Sequence, residues 1–304
     1  MKVVSLFAGA GGLDFGLIKA GHEVIWANDI DSDSCETYRE NIGGHIVCGD
    51  IAGLNFDLIP EADVLVGGFP CQGFSMANLL RKPEDSRNVL YRHFYNLVNV
   101  KQPKYFLAEN VRGILSLGKG AIIKQIVEDF EGAGYSVNYK VFNTADYGVP
   151  QTRMRVIIAG TRKDLSVEQQ FRFPEPLIQK ENWITVGEAL SHIPEPETNH
   201  GLDNHVYSKY KVTNRNFTGH RTTDPNKPSP TILARGNGKG GVCAIQHPKN
   251  HRRMSVRESA LIQTFPIDFR FNGSMTSMYR QIGNAVPVKF AMALGQQLTK
   301  LEKA

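Results

Sequence analysis

Short apolar runs alternate with amphipathic stretches over roughly the first half of the chain. Seven runs rich in Val, Ile, Leu and Phe predict β-strands: KVVSLF, EVIWAN, HIVCGD, DVLVGGF, KYFLAEN, YSVNYKVF and RVIIAG. Four stretches between them have apolar residues at helical spacing and predict α-helices: LDFGLIKAG, SDSCETYREN, YRHFYNLVNVKQ and AIIKQIVEDFEGAG. This alternation predicts an α/β fold with a doubly wound, mostly parallel sheet, in which binding sites lie at the carboxyl ends of the strands.

The pattern becomes irregular in the middle of the chain. Residues 172–252 are rich in Pro, Asn, Gly, Thr and Lys and contain few periodic segments, which predicts a second, smaller domain. Beyond it, Ser255 and Glu258 stand in capping-box spacing at the start of a predicted helix, and a further helical pattern follows. We therefore expect residues 253–304 to return to the first domain, residues 1–171.

The net charge of +5 is unevenly distributed. Residues 203–253 contain ten Lys or Arg and two Asp, a net charge of +8, so the rest of the chain carries −3. A basic segment of this kind suits a phosphate backbone, because each neutralised phosphate releases condensed counterions. A solvated basic surface is the alternative that charge alone leaves open.

Several classes of protein are disfavoured. MKVVSLFAGAGG lacks the long apolar stretch and cleavage site of a signal peptide, and no later run approaches the roughly 18 apolar residues of a membrane span. We expect a cytoplasmic protein with no membrane partner. Pro248 opposes a helix that would present His247 and His251 to one metal ion, so no metal site is predicted. The four cysteines are too scattered for paired metal ligands and are expected to be free thiols: Cys35, Cys48, Cys71 and Cys243.

Two features at the first two strands indicate a nucleoside-containing ligand. The first strand runs into FAGAGGLDFG, a glycine turn before a helix, where backbone N–H groups can approach a polar ligand closely. The second strand leads to Asp29, whose carboxylate could accept hydrogen bonds from ribose hydroxyls. The turn is not the dinucleotide fingerprint G-x-G-x-x-G, because Asp14 stands at its last glycine. Taken alone, the turn could equally be structural.

A thiol and a carboxylate follow the fourth and fifth strands. Cys71 lies in GGFPCQGFS after DVLVGGF, and Glu109 lies near the end of KYFLAEN. If these strands are parallel neighbours, about 4.8 Å apart, both groups reach one edge of the sheet. Cys71 is then a candidate nucleophile, although a buried structural thiol is the alternative. Arg153 and Arg155 stand two apart at a strand start and could lower the thiol pKa, hold a phosphate, pair with Glu109 or form a surface pair.

Six segments, in this order, resemble the cytosine-5 DNA methyltransferases that use S-adenosylmethionine: FAGAGGLDFG, GGFPCQGFS, ENV, QTRMR, RESALIQTFP and QIGNAVP. The resemblance covers nearly the whole chain outside about residues 172–250 and implies an enzyme that rotates a cytosine out of duplex DNA. Cys71 would attack carbon 6 and Glu109 would hold ring nitrogen 3 and the amino group. Arg153 would contact the base, and Arg155 would support the carboxylate.

The resemblance also implies the residues that bind S-adenosyl-L-methionine. Phe7 would pack on the adenine and Asp29 would bind the ribose. Ile30 would make an apolar adenine contact where many members have tryptophan. Pro70 and the neighbouring glycines would leave Cys71 exposed on a movable loop that closes on DNA. The other implied cofactor residues are Gly9, Ala10, Gly11 and Gly12 around the methionine part, Asp50 and Ile51 at the adenine, Leu90, and Asn284 and Ala285.

The basic segment matches the target recognition region of the family. SPTILARGNGKGG resembles its Thr-Ile element followed by a glycine-rich turn. The implied partner is double-stranded DNA in a bacterial restriction-modification system, where a companion endonuclease often acts on the same site. The implied DNA-contacting residues are Gln72, Ser75, Thr231, Ile232, Arg235 and Lys239.

Two other functions are compatible with part of this pattern. Relatives that methylate tRNA share the scaffold but carry Cys-Phe-Thr in the recognition region, whereas Cys243 is followed by Ala244 and Ile245. A DNA-binding protein without activity would usually have lost a catalytic residue, and all four candidates are present here. Methylation of duplex DNA is therefore the favoured function.

Overall fold

The computed structural model describes residues 1–69, 89–199, 201–209, 222–234, 245–249 and 251–302. Within these ranges all seven predicted strands are present and form one sheet. In chain order, strands β1 to β7 are Lys2–Leu6, Glu23–Asp29, Ile46–Cys48, Val64–Gly67, Tyr105–Val111, Tyr135–Asn143 and Met154–Arg162.

The strand order across the sheet is β3-β2-β1-β4-β5-β7-β6. Every neighbouring pair from β3 to β5 is parallel, and β7 runs antiparallel to both β5 and β6. The predicted mostly parallel sheet is confirmed, with one reversed strand. Because the strand order changes direction at β1, a crevice forms at the carboxyl ends of β1 and β4, where doubly wound sheets bind ligands.

Helices cover both faces of the sheet. Alternate residues of β1 point to opposite faces. Val3 belongs to an apolar cluster that includes the helices Gly12–Lys19 and Val288–Glu302, and Val4 to one that includes the helices Val89–Lys101 and Ala121–Gly132. Of the described helices, none is long and apolar enough to cross a membrane. In chain order, helices α1 to α8 are Gly12–Lys19, Ser32–Asn41, Val89–Lys101, Ala121–Gly132, Val186–Leu190, Val256–Ile262, Met275–Asn284 and Val288–Glu302.

A third apolar cluster joins the irregular middle segment to α6 and α7. It contains Val186 of α5, Ile232 of the middle segment, Val256 of α6 and Ile282 of α7. The predicted capping box begins α6, because the Ser255 side chain accepts from the Glu258 N–H and the Glu258 carboxylate accepts from the Ser255 N–H. The division of the chain at residues 171 and 252 stays a prediction.

Candidate active site

A cavity of about 880 Å³ opens at the carboxyl ends of β1, β2, β4 and β5. Its volume lies in the range of small-molecule sites. The turn after β1, the turn after β3 and residues 283–286 complete its wall. The predicted residues that line it are Phe7, Gly9, Gly12, Asp29, Ile30, Asp50, Ile51, Leu90, Glu109, Arg153, Arg155, Ile232, Asn284 and Ala285.

The Asp29 carboxylate is fixed by backbone N–H groups on both oxygens. Oδ2 accepts from the Gly9 N–H at 2.7 Å, and Oδ1 accepts from the Asp31 N–H at 2.9 Å. Burial raises the pKa of Asp29, and these two donors oppose that rise. Ile30 beside it is 69% exposed at the cavity. The end of β2 thus presents an oriented carboxylate and an apolar side chain side by side.

Two of the predicted cofactor residues do not line the cavity. Ala10 is 1% exposed and packs in the third apolar cluster. Gly11 has a φ of 86°, and a Cβ there would lie 2.2 Å from the Ile42 side chain. Gly11 is therefore required for the turn and for the close approach of α2, and neither residue contributes to the cavity wall.

Glu109 and Arg155 form a close ion pair at the cavity. Strands β4 and β5 are parallel neighbours, with Gly67 paired to Ala108, so the end of β4 lies beside Glu109 as predicted. Glu109 Oε1 lies 2.6 Å from Arg155 Nε, and the geometry is that of a charge contact rather than of a directed hydrogen bond. Both side chains are nearly buried, at 12% and 11% exposure, which strengthens their attraction.

Arg153 lines the cavity, and its terminal nitrogens bind backbone carbonyls. It is 1% exposed, and its Nη1 donates to the Ile232 carbonyl at 2.9 Å. Its Nη2 donates to the carbonyls of Gly283 and Ala285 at 2.8 and 3.1 Å. Burial, and then the charge of Arg155, lower the pKa of Arg153. Its terminal nitrogens thus bind the protein, and the base contact of Arg153 stays a prediction.

Asn110 connects the ends of β4 and β5. Its Nδ2 donates to the Phe69 carbonyl at 2.9 Å, and its Oδ1 accepts from the Val111 N–H at 2.8 Å. Asn110 is part of the ENV motif, but no local pattern indicated this contact. Because Phe69 is two residues before Cys71, Asn110 fixes the point from which the cysteine segment begins. The predicted residues of that segment lie outside the described ranges: Pro70, Cys71, Gln72 and Ser75.

Thr231 and Ile232 face the protein rather than an open surface. The Thr231 Oγ1 donates to the Thr152 carbonyl at 2.8 Å. Ile232 is 2% exposed, and its N–H donates to Gln151 Oε1 at 2.8 Å. The DNA contacts of these two side chains stay predictions. Arg235 and Lys239 lie outside the described residues.

His247 and His251 approach each other despite Pro248, because a turn brings their ring centroids to 5.2 Å. Glu195 lies with them, and its Oε2 accepts from Arg252 Nε at 2.7 Å. Burial raises the pKa of Glu195, but Arg252 and His251 outweigh burial and lower this pKa to about 2. Burial lowers the pKa of His247 to about 4. The negative charge of Glu195, the carboxylate that would complete a metal site, is already offset by Arg252. We therefore expect this cluster to bind a metal ion only weakly.

The profile of the C-5 cytosine-specific DNA methylase family matches residues 1–300. The chain belongs to this family. The Type II methyltransferase M.NgoFVII of Neisseria gonorrhoeae is 41% identical over 332 residues, with 98% of this chain and 86% of that protein covered. M.MthTI of Methanothermobacter thermautotrophicus, also a Type II methyltransferase, is 37% identical over 328 residues, with 99% and 97% covered. The predicted cytosine-5 DNA methyltransferase is thereby confirmed.

Solved structures agree with this C-5 methylase at the level of the fold. The S. pombe Dnmt2 methyltransferase has a TM-score of 0.72 at 20% identity, with 99% of this chain and 98% of that chain covered. At that identity the similarity shows a shared architecture. It therefore confirms the predicted Rossmann-like methyltransferase fold, with the cavity at the strand ends.

Proposed function

We propose that the cavity of this DNA (cytosine-5)-methyltransferase binds S-adenosyl-L-methionine beside a catalytic pair, Cys71 and Glu109. One observation carries the proposal. The oriented Asp29 carboxylate and the Glu109–Arg155 ion pair line the same cavity at the carboxyl edge of the sheet. A nucleoside-binding group and a base-binding group are thus within reach of one another, as transfer between two substrates requires.

The residues present fit the proposed cofactor. Asp29 can accept hydrogen bonds from ribose hydroxyls, while Ile30 and Phe7 offer apolar surface to an adenine ring. Asp50, which caps the turn after β3 by accepting from the Ala52 N–H at 3.0 Å, lies at the same wall. The bound cofactor would supply an electrophilic methyl group. The protein would orient it and exclude water from it.

The chain's own groups would activate the cytosine. The Cys71 thiolate would bond to carbon 6 of the flipped base and make carbon 5 nucleophilic. Glu109 would hold ring nitrogen 3 and the amino group, and Arg155 would hold that carboxylate in position. Once carbon 5 has taken the methyl group, with the cofactor's sulfur leaving as a neutral thioether, loss of the carbon 5 proton would restore the ring double bond and expel the Cys71 thiolate. Arg153, with its terminal nitrogens on three carbonyls, would support the site from behind.

The substrate would be one cytosine in a short duplex sequence that the basic segment recognises. Support comes from the net charge of residues 203–253 and from the relatives, which are Type II methyltransferases. A companion endonuclease acting on the same sequence is part of this proposal. So is the division into a catalytic domain, residues 1–171 with 253–304, and a target recognition domain, residues 172–252.

The proposal is tested by bisulfite sequencing of a plasmid grown in methylation-deficient cells with and without the protein. We expect protected cytosines within one short recurrent sequence, only when the protein is present. Calorimetry on the purified protein should show S-adenosylmethionine binding that Asp29→Ala weakens. Methylation of tRNA without methylation of the plasmid would contradict the proposed substrate.

A further inference from the structure

Residues 229–234, here called the recognition segment, run beside the QTRMR motif, and Ser229 forms a β-bridge with Gln151. The Ser229 N–H donates to the Pro150 carbonyl at 2.9 Å, and the Thr152 N–H donates to the Ser229 carbonyl at 2.9 Å. The recognition segment ends at Ala234, immediately before Arg235, within the basic segment predicted to read DNA. At the same time Ile232, Leu233 and Ala234 line the cavity. The recognition segment therefore connects the cavity wall to the part of the chain predicted to read DNA.

Two buried glutamine side chains form a chain of hydrogen bonds, here called the relay, that ends at the recognition segment. The Gln263 Nε2 donates to the carbonyls of Ile282 and Ala285 at 2.6 and 3.1 Å. The Gln263 Oε1 accepts from Gln151 Nε2 at 2.7 Å, and the Gln151 Oε1 accepts from the Ile232 N–H at 2.8 Å. Both glutamines are 0% exposed. Every amide group in the relay therefore has a partner, in one consistent donor-to-acceptor direction.

Arg153 holds the same residue from its other side. Its Nη1 donates to the Ile232 carbonyl, so the N–H and the C=O of Ile232 both bind buried side chains of QTRMR. Arg153 and Gln263 also share the Ala285 carbonyl as an acceptor, at the cavity wall. A displacement of the recognition segment along this motif would leave several buried polar groups unpaired, which is energetically costly.

We propose that Gln151, Gln263 and Arg153 are positioning residues for DNA sequence discrimination. Apolar packing alone tolerates small shifts, whereas directed hydrogen bonds specify one position of a strand. The relay would therefore fix residues 229–234, which lead into the stretch predicted to read DNA, relative to the pocket that receives the cytosine. Its loss lets the recognition segment settle in several positions, so sites that differ from the target by one base are methylated more often.

The test compares Gln151→Met, Gln263→Met and the double variant with wild type in the plasmid bisulfite experiment. The measured quantity is the ratio of methylation at the target to methylation at sites differing by one base. We expect each single variant to lower this ratio about tenfold, the order of one lost base discrimination. Because either substitution breaks the same relay, the double variant should be no worse than the singles. Cofactor affinity measured by calorimetry should stay within about twofold of wild type.

The matched control is Gln102→Met. The Gln102 side-chain amide donates to the carbonyls of Asn99 and Ala133 at 3.0 and 3.3 Å, away from the cavity. Its discrimination ratio should equal that of wild type. The proposal is overturned if the relay variants only lower the melting temperature and keep the wild-type ratio, or if the losses of the two singles add. If a Met variant does not fold, Gln151→Asn replaces it, because Asn keeps the amide group but is too short to span the relay. The discrimination ratio of Gln151→Asn should then be lowered, and a wild-type ratio would overturn the proposal.

The wild-type pattern tests the proposed function separately from these variants. Absence of plasmid methylation by wild type would contradict duplex DNA as substrate. A recurrent wild-type site with unchanged discrimination in the relay variants would contradict the positioning role alone.

Discussion

At the scale of single residues, several buried polar groups near the cavity have specific hydrogen-bond donors. Asp14 is the clearest case, because it is 0% exposed and accepts from Ser5 Oγ at 2.7 Å and from the Tyr38 hydroxyl at 2.8 Å. Despite these donors, burial raises the pKa of Asp14 to about 6. Its charge is therefore retained at the start of α1 at a cost in folding free energy.

This cost predicts a pH dependence for Asp14→Asn. The folded-state pKa of about 6 lies above the ordinary value of 3.8, so the folded protein binds this proton more tightly than the unfolded chain. The resulting stabilisation is fully present below pH 3.8 and is lost as the pH rises through 6. The amide side chain of the variant does not titrate, so this dependence disappears.

Relative to wild type, the variant should therefore gain on the order of 3 kcal/mol of unfolding free energy between pH 4 and pH 8. Urea unfolding at a series of pH values measures it. The exposed Asp57→Asn serves as control, and a difference from wild type that does not change with pH would contradict the prediction.

Cys71→Ser addresses the proposed nucleophile. A hydroxyl is far less nucleophilic than a thiolate at neutral pH, so turnover should be abolished while cofactor and DNA binding persist. Tritium transfer from labelled cofactor measures turnover, and a gel-shift assay measures binding. Cys35→Ser is the comparison, because Cys35 is buried and donates to the Asp29 carbonyl outside the proposed chemistry. Normal turnover by the Cys71 variant would remove the covalent mechanism.

At the scale of elements, the backbone at the end of α7 packs closely against the backbone of the recognition segment, residues 229–234. A Cβ at Gly283 would lie 2.5 Å from the Ala234 nitrogen and from the Leu233 carbonyl atoms. No side chain can rotate away from such an overlap, so one of the two segments must move. Glycine at position 283 is thus required by packing between elements that are about 50 residues apart in the chain.

We therefore expect Gly283→Ala to lower the free energy of unfolding by about 1–3 kcal/mol, the usual cost of overpacking. Cofactor affinity should fall as well, because Gly283 lines the cavity. Urea unfolding and calorimetry measure the two effects. The control is Gly132→Ala at the end of α4, where a Cβ would have no atom within 4 Å and stability should be kept or slightly raised. Equal stability of the two variants would refute the close contact.

At the scale of the whole molecule, two arginines of the basic segment, residues 203–253, are buried. Arg252 and Arg253 are 8% and 4% exposed, and Arg252 binds the Glu258 carboxylate through both terminal nitrogens at 2.8 and 2.7 Å. The Arg252 charge therefore helps to hold the segment on α6. Our DNA-binding proposal assigns phosphate contacts to other cations of the segment, Arg235 and Lys239 among them.

Replacing Arg235 and Lys239 with Gln should weaken DNA binding and reduce its salt dependence. Each lost phosphate contact lowers the slope of log K against log salt by about 0.9, so the double variant should lose up to about 1.8. Fluorescence anisotropy at several salt concentrations measures the slope. Lys124→Gln on α4, 77% exposed beside Glu128, is the matched control. An unchanged slope would mean that the basic segment is only a solvated surface.

The sequence by itself determined the strands, the helices at the sheet, and the edge where chemistry is placed. Burial on one face repeats every two residues in a strand and every 3.6 in a helix, so local spacing encodes these elements. Asp29 and Glu109 lie at or near the ends of their strands, and parallel strands bring their ends together. Those placements needed no knowledge of distant contacts.

The tertiary structure alone decided which donor meets which acceptor. Arg153 and Arg155 look equivalent in QTRMR, yet one binds carbonyls 79 and 130 residues away and the other faces Glu109. The burial of Ile232 and the relay through Gln263 depend in the same way on where distant segments cross. Such pairings are set by the path of the whole chain, and no local periodicity records them.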